Sequence, residues 1–123
     1  MGYETKLIIG TKNSDNIFKE NGYNWLNVIA EIDLCKSIFY DTYIDKEKDI
    51  EKMFIYGSDG NTKITHDSYN SQLFAIEPKK VLEMMQNANK VEKYRRYNAA
   101  IPMLKSLIKD FKGQDLTCIL YGH

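Results

Sequence analysis

Leu26-Asn27-Val28-Ile29-Ala30-Glu31-Ile32-Asp33-Leu34 is the stretch on which the fold turns. Leu26, Val28, Ala30, Ile32 and Leu34 recur every second residue and form one unbroken apolar face. Asn27, Ile29, Glu31, Asp33 and the following Cys35 take the other face. A period of two places successive side chains on opposite sides of a strand, so this pattern predicts a strand with one covered face and one partly wet face.

Working outward, Tyr3 to Ile9 alternates in the same way and predicts a second strand. The Asn-, Gly- and Ser-rich run from Gly10 to Asn24 predicts a loop, with or without one helical turn. Ile38 to Ile44 is aromatic and β-branched and suits another strand, and the charge run Asp45 to Glu51 suits a solvated turn or short helix. Met53 to Gly57 and Thr62 to His66, joined through Ser58-Asp59-Gly60-Asn61, predict a hairpin, because Asp-Gly supplies the positive φ of a tight β-turn. Leu73 to Ile76 and Leu116 to Tyr121 add two short strands. The strand pattern predicts an antiparallel meander.

Between Pro78 and Lys112 the period changes. Pro78 suits the first turn of a helix, and Val81, Leu82, Met84, Met85 and Ala88 share one helical face. Tyr94, Tyr97, Ile101, Leu104, Ile108 and Phe111 then alternate spacings of three and four, and Gly113 is a natural stop. One straight helix over this span would be about 51 Å long at 1.5 Å per residue. A domain of this size is only about 35 Å across. The helix therefore breaks, kinks or protrudes. Pro102 is the predicted break, and a protruding heptad stripe would instead serve a coiled-coil dimer. The predicted fold is α+β: one domain spanning residues 1–123, with an antiparallel sheet of five to six strands. Two helices or one kinked helix pack on one sheet face, and a C-terminal strand returns to the sheet.

Composition excludes several classes. The 123 residues carry 17 basic and 17 acidic side chains, a balance that argues against general nucleic-acid binding and against an acidic DNA mimic. No apolar run approaches the roughly 20 residues of a membrane span. Met1-Gly2-Tyr3-Glu4-Thr5-Lys6 lacks an apolar signal core, and Lys6 breaks the myristoylation pattern, so a cytoplasmic protein is expected. Two distant cysteines, Cys35 and Cys118, predict free thiols in a reducing compartment. Lys, Ile, Asn and Tyr, all encoded by AT-rich codons, supply 48 of the 123 residues, which points to an AT-rich genome.

Four groups of residues could carry chemistry. Lys occurs 15 times and Arg only twice, and the two arginines adjoin in Tyr94-Arg95-Arg96-Tyr97. A guanidinium fork grips phosphate at two points and stacks on flat rings, so Arg95 and Arg96 could clamp phosphate while Tyr94 or Tyr97 stacks on a base. The plainer account puts the tyrosines in the helix stripe and the arginines in solvent. Glu31 and Asp33 lie on one strand face about 7 Å apart, and with His66 or His123 they could hold a cation or form an acid–base pair. The plainer account is a charged face that discourages edge pairing. Cys35, His66, Cys118 and His123 have the inventory of a zinc site but no local ligand spacing, and Cys118 alternates with Leu116 and Leu120 as a core residue would. Gly57 to Asn61 lacks the lysine and following helix of a phosphate-binding loop, and a hairpin turn explains it. Trp25, Tyr40, Tyr43, Tyr56 and Tyr69 are aromatics of the type favoured at half-buried contacts. Nothing in the sequence calls for a cofactor.

Tyr3-Glu4-Thr5-Lys6-Leu7-Ile8-Ile9-Gly10 and Leu120-Tyr121-Gly122-His123 resemble stretches of small proteins from phages and prophages of low-GC Gram-positive bacteria. The resemblance transfers no site residue. It implies a context in which small proteins act by binding, either blocking a host defence protein or sequestering a nucleotide signal. The expected function is therefore a non-enzymatic, homo-oligomeric binding protein. A small metal-dependent enzyme using Glu31, Asp33 and a histidine, or a purely structural oligomer, are the competing expectations.

Overall fold

The computed structural model describes residues 4–13, 22–34, 51–91 and 95–123. The expected strand at Ile38 to Ile44, together with Cys35, Tyr40, Tyr43 and Tyr94, lies outside the described residues. The elements are β1 (Thr5–Asn13), β2 (Tyr23–Asp33), β3 (Lys52–Tyr56), β4 (Lys63–Ile64), α1 (Pro78–Val91), α2 (Arg95–Asp110) and β5 (Leu116–Gly122). They form an α+β fold around a five-stranded sheet ordered β4-β3-β2-β1-β5.

The sheet is mixed, which corrects the expected antiparallel meander. β1 pairs antiparallel with both β2 and β5, but β2 pairs parallel with β3 through Tyr23–Trp25 and Lys52–Phe54. Parallel neighbours need a crossover of a dozen or more residues, and the chain between Leu34 and Glu51 is long enough to provide one. Alternation identifies a strand without giving its direction, so the sequence pattern could not separate the two arrangements. The predicted loop also starts later than expected, since β1 runs on to Asn13 and β2 begins at Tyr23.

A β-bulge changes the reading of β2. Ile9 pairs with Ala30 but Gly10 pairs with Val28, so Ile29 is the extra residue and the faces exchange there. Leu26 accordingly packs with Ile8, Met53, Ile55, Leu73 and Ile119 on one face. Leu34, with Ile32 beside it, packs with Leu7, Ile9, Cys118 and Leu120 on the opposite face. The expected single apolar face is thus divided between two cores. Gly10 makes this possible: a Cβ there would overlap the Asn27 carbonyl.

The helices cover the Leu7–Ile9 face. Glu77 accepts from the backbone N–H groups of Lys80 (3.0 Å) and Val81 (3.2 Å) and starts α1 ahead of Pro78. Val81, Met84 and Met85 of α1, and Tyr97, Ala100 and Leu104 of α2, complete the core on that side. Glu77 and Pro78 share a groove with Ile108 and Phe111, and Asn89 Nδ2 donates to Asn98 Oδ1 at 2.8 Å, so the two helices fold back on each other. α1 ends at Val91, α2 begins at Arg95, and α2 continues through Pro102, which is exposed. The predicted break at Pro102 is therefore corrected: bringing both apolar stripes onto the sheet outweighs the lost helix hydrogen bond. The stripe Tyr97, Ile101, Leu104 and Ile108 packs against its own chain's sheet. Gly113, at φ 83°, ends the helical stretch as expected.

The opposite face curls. The segment after β4 bridges to β3 through Lys52 and Phe74 and to β5 through Ile76 and Cys118. This links β3 to β5, which β2 and β1 separate in the sheet, and Ile8, Leu26, Met53, Leu73 and Ile119 form the second core. No described helix is long and apolar enough to cross a membrane.

Candidate functional site at the end of β1, β2 and β5

Strand register assembles this corner. Glu4 and His123 exchange backbone hydrogen bonds, 3.0 Å from Glu4 N to His123 O and 2.9 Å from His123 N to Glu4 O. Leu34 N donates to Thr5 O at 2.9 Å, so Lys6 and Asp33, one step along, form a non-hydrogen-bonded pair with their side chains close. By strand alternation Glu4, Lys6, Asp33, Tyr121 and His123 share one face. The imidazole of His123 reaches across β1, placing Nε2 3.2 Å from Asp33 Oδ2. The Nε2 atom is buried and has no aligned hydrogen-bond partner among the described residues. One ligand atom from each of Glu4, Asp33 and His123 lies within 4.8 Å of the other two. Lys6 Nζ sits 6.0 Å from the Tyr121 ring centroid beside them.

Arg96 reaches the end of β2 from the helix side. In a non-hydrogen-bonded pair the Asp33 carbonyl points away from β1, toward the outer edge of β2. Arg96 Nη1 donates to that carbonyl at 3.2 Å, which ties the first turn of α2 to the end of β2. Arg95, the preceding residue, is exposed. Tyr97 is 3% exposed and fills the core beneath α2, so its ring is not offered to a ligand. Arg96 thus meets Asp33 through its backbone carbonyl, while the Asp33 carboxylate faces His123. Glu31 does not join them, because it is exposed opposite Ile8, further along β2. Glu4 takes its place. Glu4 was missed because only the β1–β5 register brings it level with His123, and neighbouring residues along the sequence do not reveal that register.

The remaining candidates have local explanations. Cys118 is fully buried among apolar residues, and burial pushes its thiol up to about 12. His66 Nδ1 lies 2.9 Å from Thr65 Oγ1. The Gly57–Asn61 turn closes on itself through Gly57 N to Thr62 O at 2.8 Å. Asp59 accepts from Asn61 N, Thr62 N and Thr62 Oγ1, and the Thr62 hydroxyl chiefly holds its carboxyl down at about 2. Trp25 and Tyr56 pack edge-on with ring centroids 5.6 Å apart, while Tyr69 is exposed.

Close to the corner, Asp67 fastens a loop to β5. Its Oδ1 accepts from Tyr69 N (2.8 Å) and Ser71 N (3.0 Å), and its Oδ2 accepts from Gly122 N at 3.1 Å. This carboxylate therefore holds the strand end that presents His123. Comparison with protein-family models, curated proteins and solved structures gave no match to this chain.

Proposed function

We propose that this is a non-enzymatic binding protein that captures a phosphate-bearing, nucleotide-like small molecule where α2 begins beside the end of β2. The observation that carries the reading is the Arg96 hydrogen bond to the Asp33 carbonyl. It ties the first turn of α2 to the sheet edge, and the neighbouring Arg95 is exposed. A guanidinium grips phosphate oxygens in pairs, as an ammonium cannot. Arg95 is the phosphate clamp in this reading, Arg96 chiefly positions it, and Tyr94 is the stacking ring. In the phage or prophage setting suggested by the Tyr3–Gly10 and Leu120–His123 stretches, capture of such a molecule would withdraw a nucleotide signal from host defence.

The test is thermal unfolding against a panel of linear and cyclic nucleotides. A ligand of the folded state raises the unfolding temperature by mass action. At least one member should raise it for the native protein and leave Arg95→Ala unmoved, with the ligand-free transitions of the two proteins coinciding. No shift from any member, or equal shifts in both proteins, would overturn the reading.

A further inference from the structure

We propose that Glu4, Asp33 and His123 form a binding site for a divalent transition-metal ion of the zinc and manganese class. The site does not depend on Arg95 or on any nucleotide. Three observations carry it. The donors come from β2 and the flanks of β1 and β5, yet their ligand atoms lie within 4.8 Å of one another. The His123 side chain is 30% exposed, but its Nε2 is buried and, among the described residues, has no aligned hydrogen bond, only the ion-pair contact with Asp33 Oδ2 at 3.2 Å. A buried imidazole nitrogen without such a bond is costly unless something else occupies its lone pair. Finally, the backbone exchange between Glu4 and His123 and the β1–β2 pairing fix all three Cα positions, so the donor set is held before any ion arrives.

Geometry and charge agree. Ligand atoms around an ion with bonds near 2.1 Å stand about 3.0–3.4 Å apart, so the trio needs to contract by about an ångström or so. Side-chain torsions of partly exposed Glu and Asp supply that. Two carboxylates balance an ion of charge +2, which lowers the cost of placing it at a half-buried corner beside Lys6. The mixed N/O donor set suits zinc and manganese better than magnesium or calcium, which prefer all-oxygen shells. Three protein ligands also leave at least one position for water or an anionic ligand.

The experiment is isothermal titration of chelator-treated protein with ZnCl2, MnCl2 and MgCl2, alongside thermal unfolding. Zinc or manganese should bind one ion per chain and raise the unfolding temperature, while magnesium binds far more weakly. Glu4→Gln and His123→Gln should each weaken binding at least about tenfold, a loss that even outer-shell changes produce at metal sites. His66→Gln and Cys35→Ser should bind as the native protein does, and the ion-free unfolding of each variant reports its fold. Absence of saturable uptake, or uptake indifferent to His123→Gln, would overturn the proposal and leave the corner an ion pair only. Nucleotide binding that persists without metal would separate its failure from that of the binding reading.

Discussion

Arg96 Nη1 donates to the backbone carbonyl of Asp33 across 3.2 Å, joining the first turn of α2 to the outer edge of β2. The pairing distinguishes two adjacent, like-charged residues. Both are exposed, but Arg96 has a backbone partner in Asp33. Arg96→Ala should destabilise the protein by about 1 kcal/mol, the usual net value of such a bond. Arg95→Ala should stay within about 0.5 kcal/mol of the native protein, as exposed substitutions do. Urea unfolding of the two variants checks the difference, and equal effects would remove the division of labour between them.

Asp67 should be the most sensitive polar position near the corner. Its carboxylate satisfies three backbone N–H groups and is 9% exposed. Asp67→Ala leaves the Gly122 N–H without this acceptor and releases the loop, a loss of about 2–3 kcal/mol. Calorimetry should show the fall in stability, with Asp67→Asn intermediate because it keeps one acceptor oxygen.

Gly10→Ala tests the bulge. The added methyl would meet the Asn27 carbonyl and approach Leu26 Cγ at 3.0 Å, and backbone cannot yield as a flexible side chain does. A cost of about 2–3 kcal/mol is expected. If denaturant unfolding shows Gly10→Ala as stable as the native protein, the bulge is not where the register shift places it.

Much of this architecture was legible in the chain. Alternation found β1, β2 and β5, Asp59-Gly60 found the β3–β4 turn, and the change of period found the helical layer. Three physical facts were not legible. A bulge at Ile29 exchanges the faces of β2 while leaving its sequence alternation intact. Strand direction has no residue signature, so the parallel β2–β3 pairing was missed. Pro102 stays inside α2, because tertiary packing of Tyr97, Ala100 and Leu104 overrides a local helix-breaking preference. The corner was half legible. Asp33 and His123 stood out as types that could combine, whereas Glu4 enters only through pairing of β1 with β5.

Cys118 supplies a prediction about pH. Burial raises its thiol to about 12, so the folded protein holds the neutral form. The unfolded thiol ionises near 8.5. The neutral thiol's contribution to stability is therefore complete below about pH 8.5 and declines as pH rises through the folded value near 12. In a Cys35→Ser background, thiol reagents at pH 8 should label Cys118 only at the rate of unfolding. Rapid labelling of the native state would contradict its burial.

Native mass spectrometry of protein purified gently from its own host tests the binding claim most directly, because it reports retained mass and subunit number together. The expected spectrum shows one nucleotide-sized adduct per site on the native protein and none on Arg95→Ala. A native protein that carries no small-molecule adduct, or an adduct that survives Arg95→Ala unchanged, would contradict the assignment of Arg95 as the clamp.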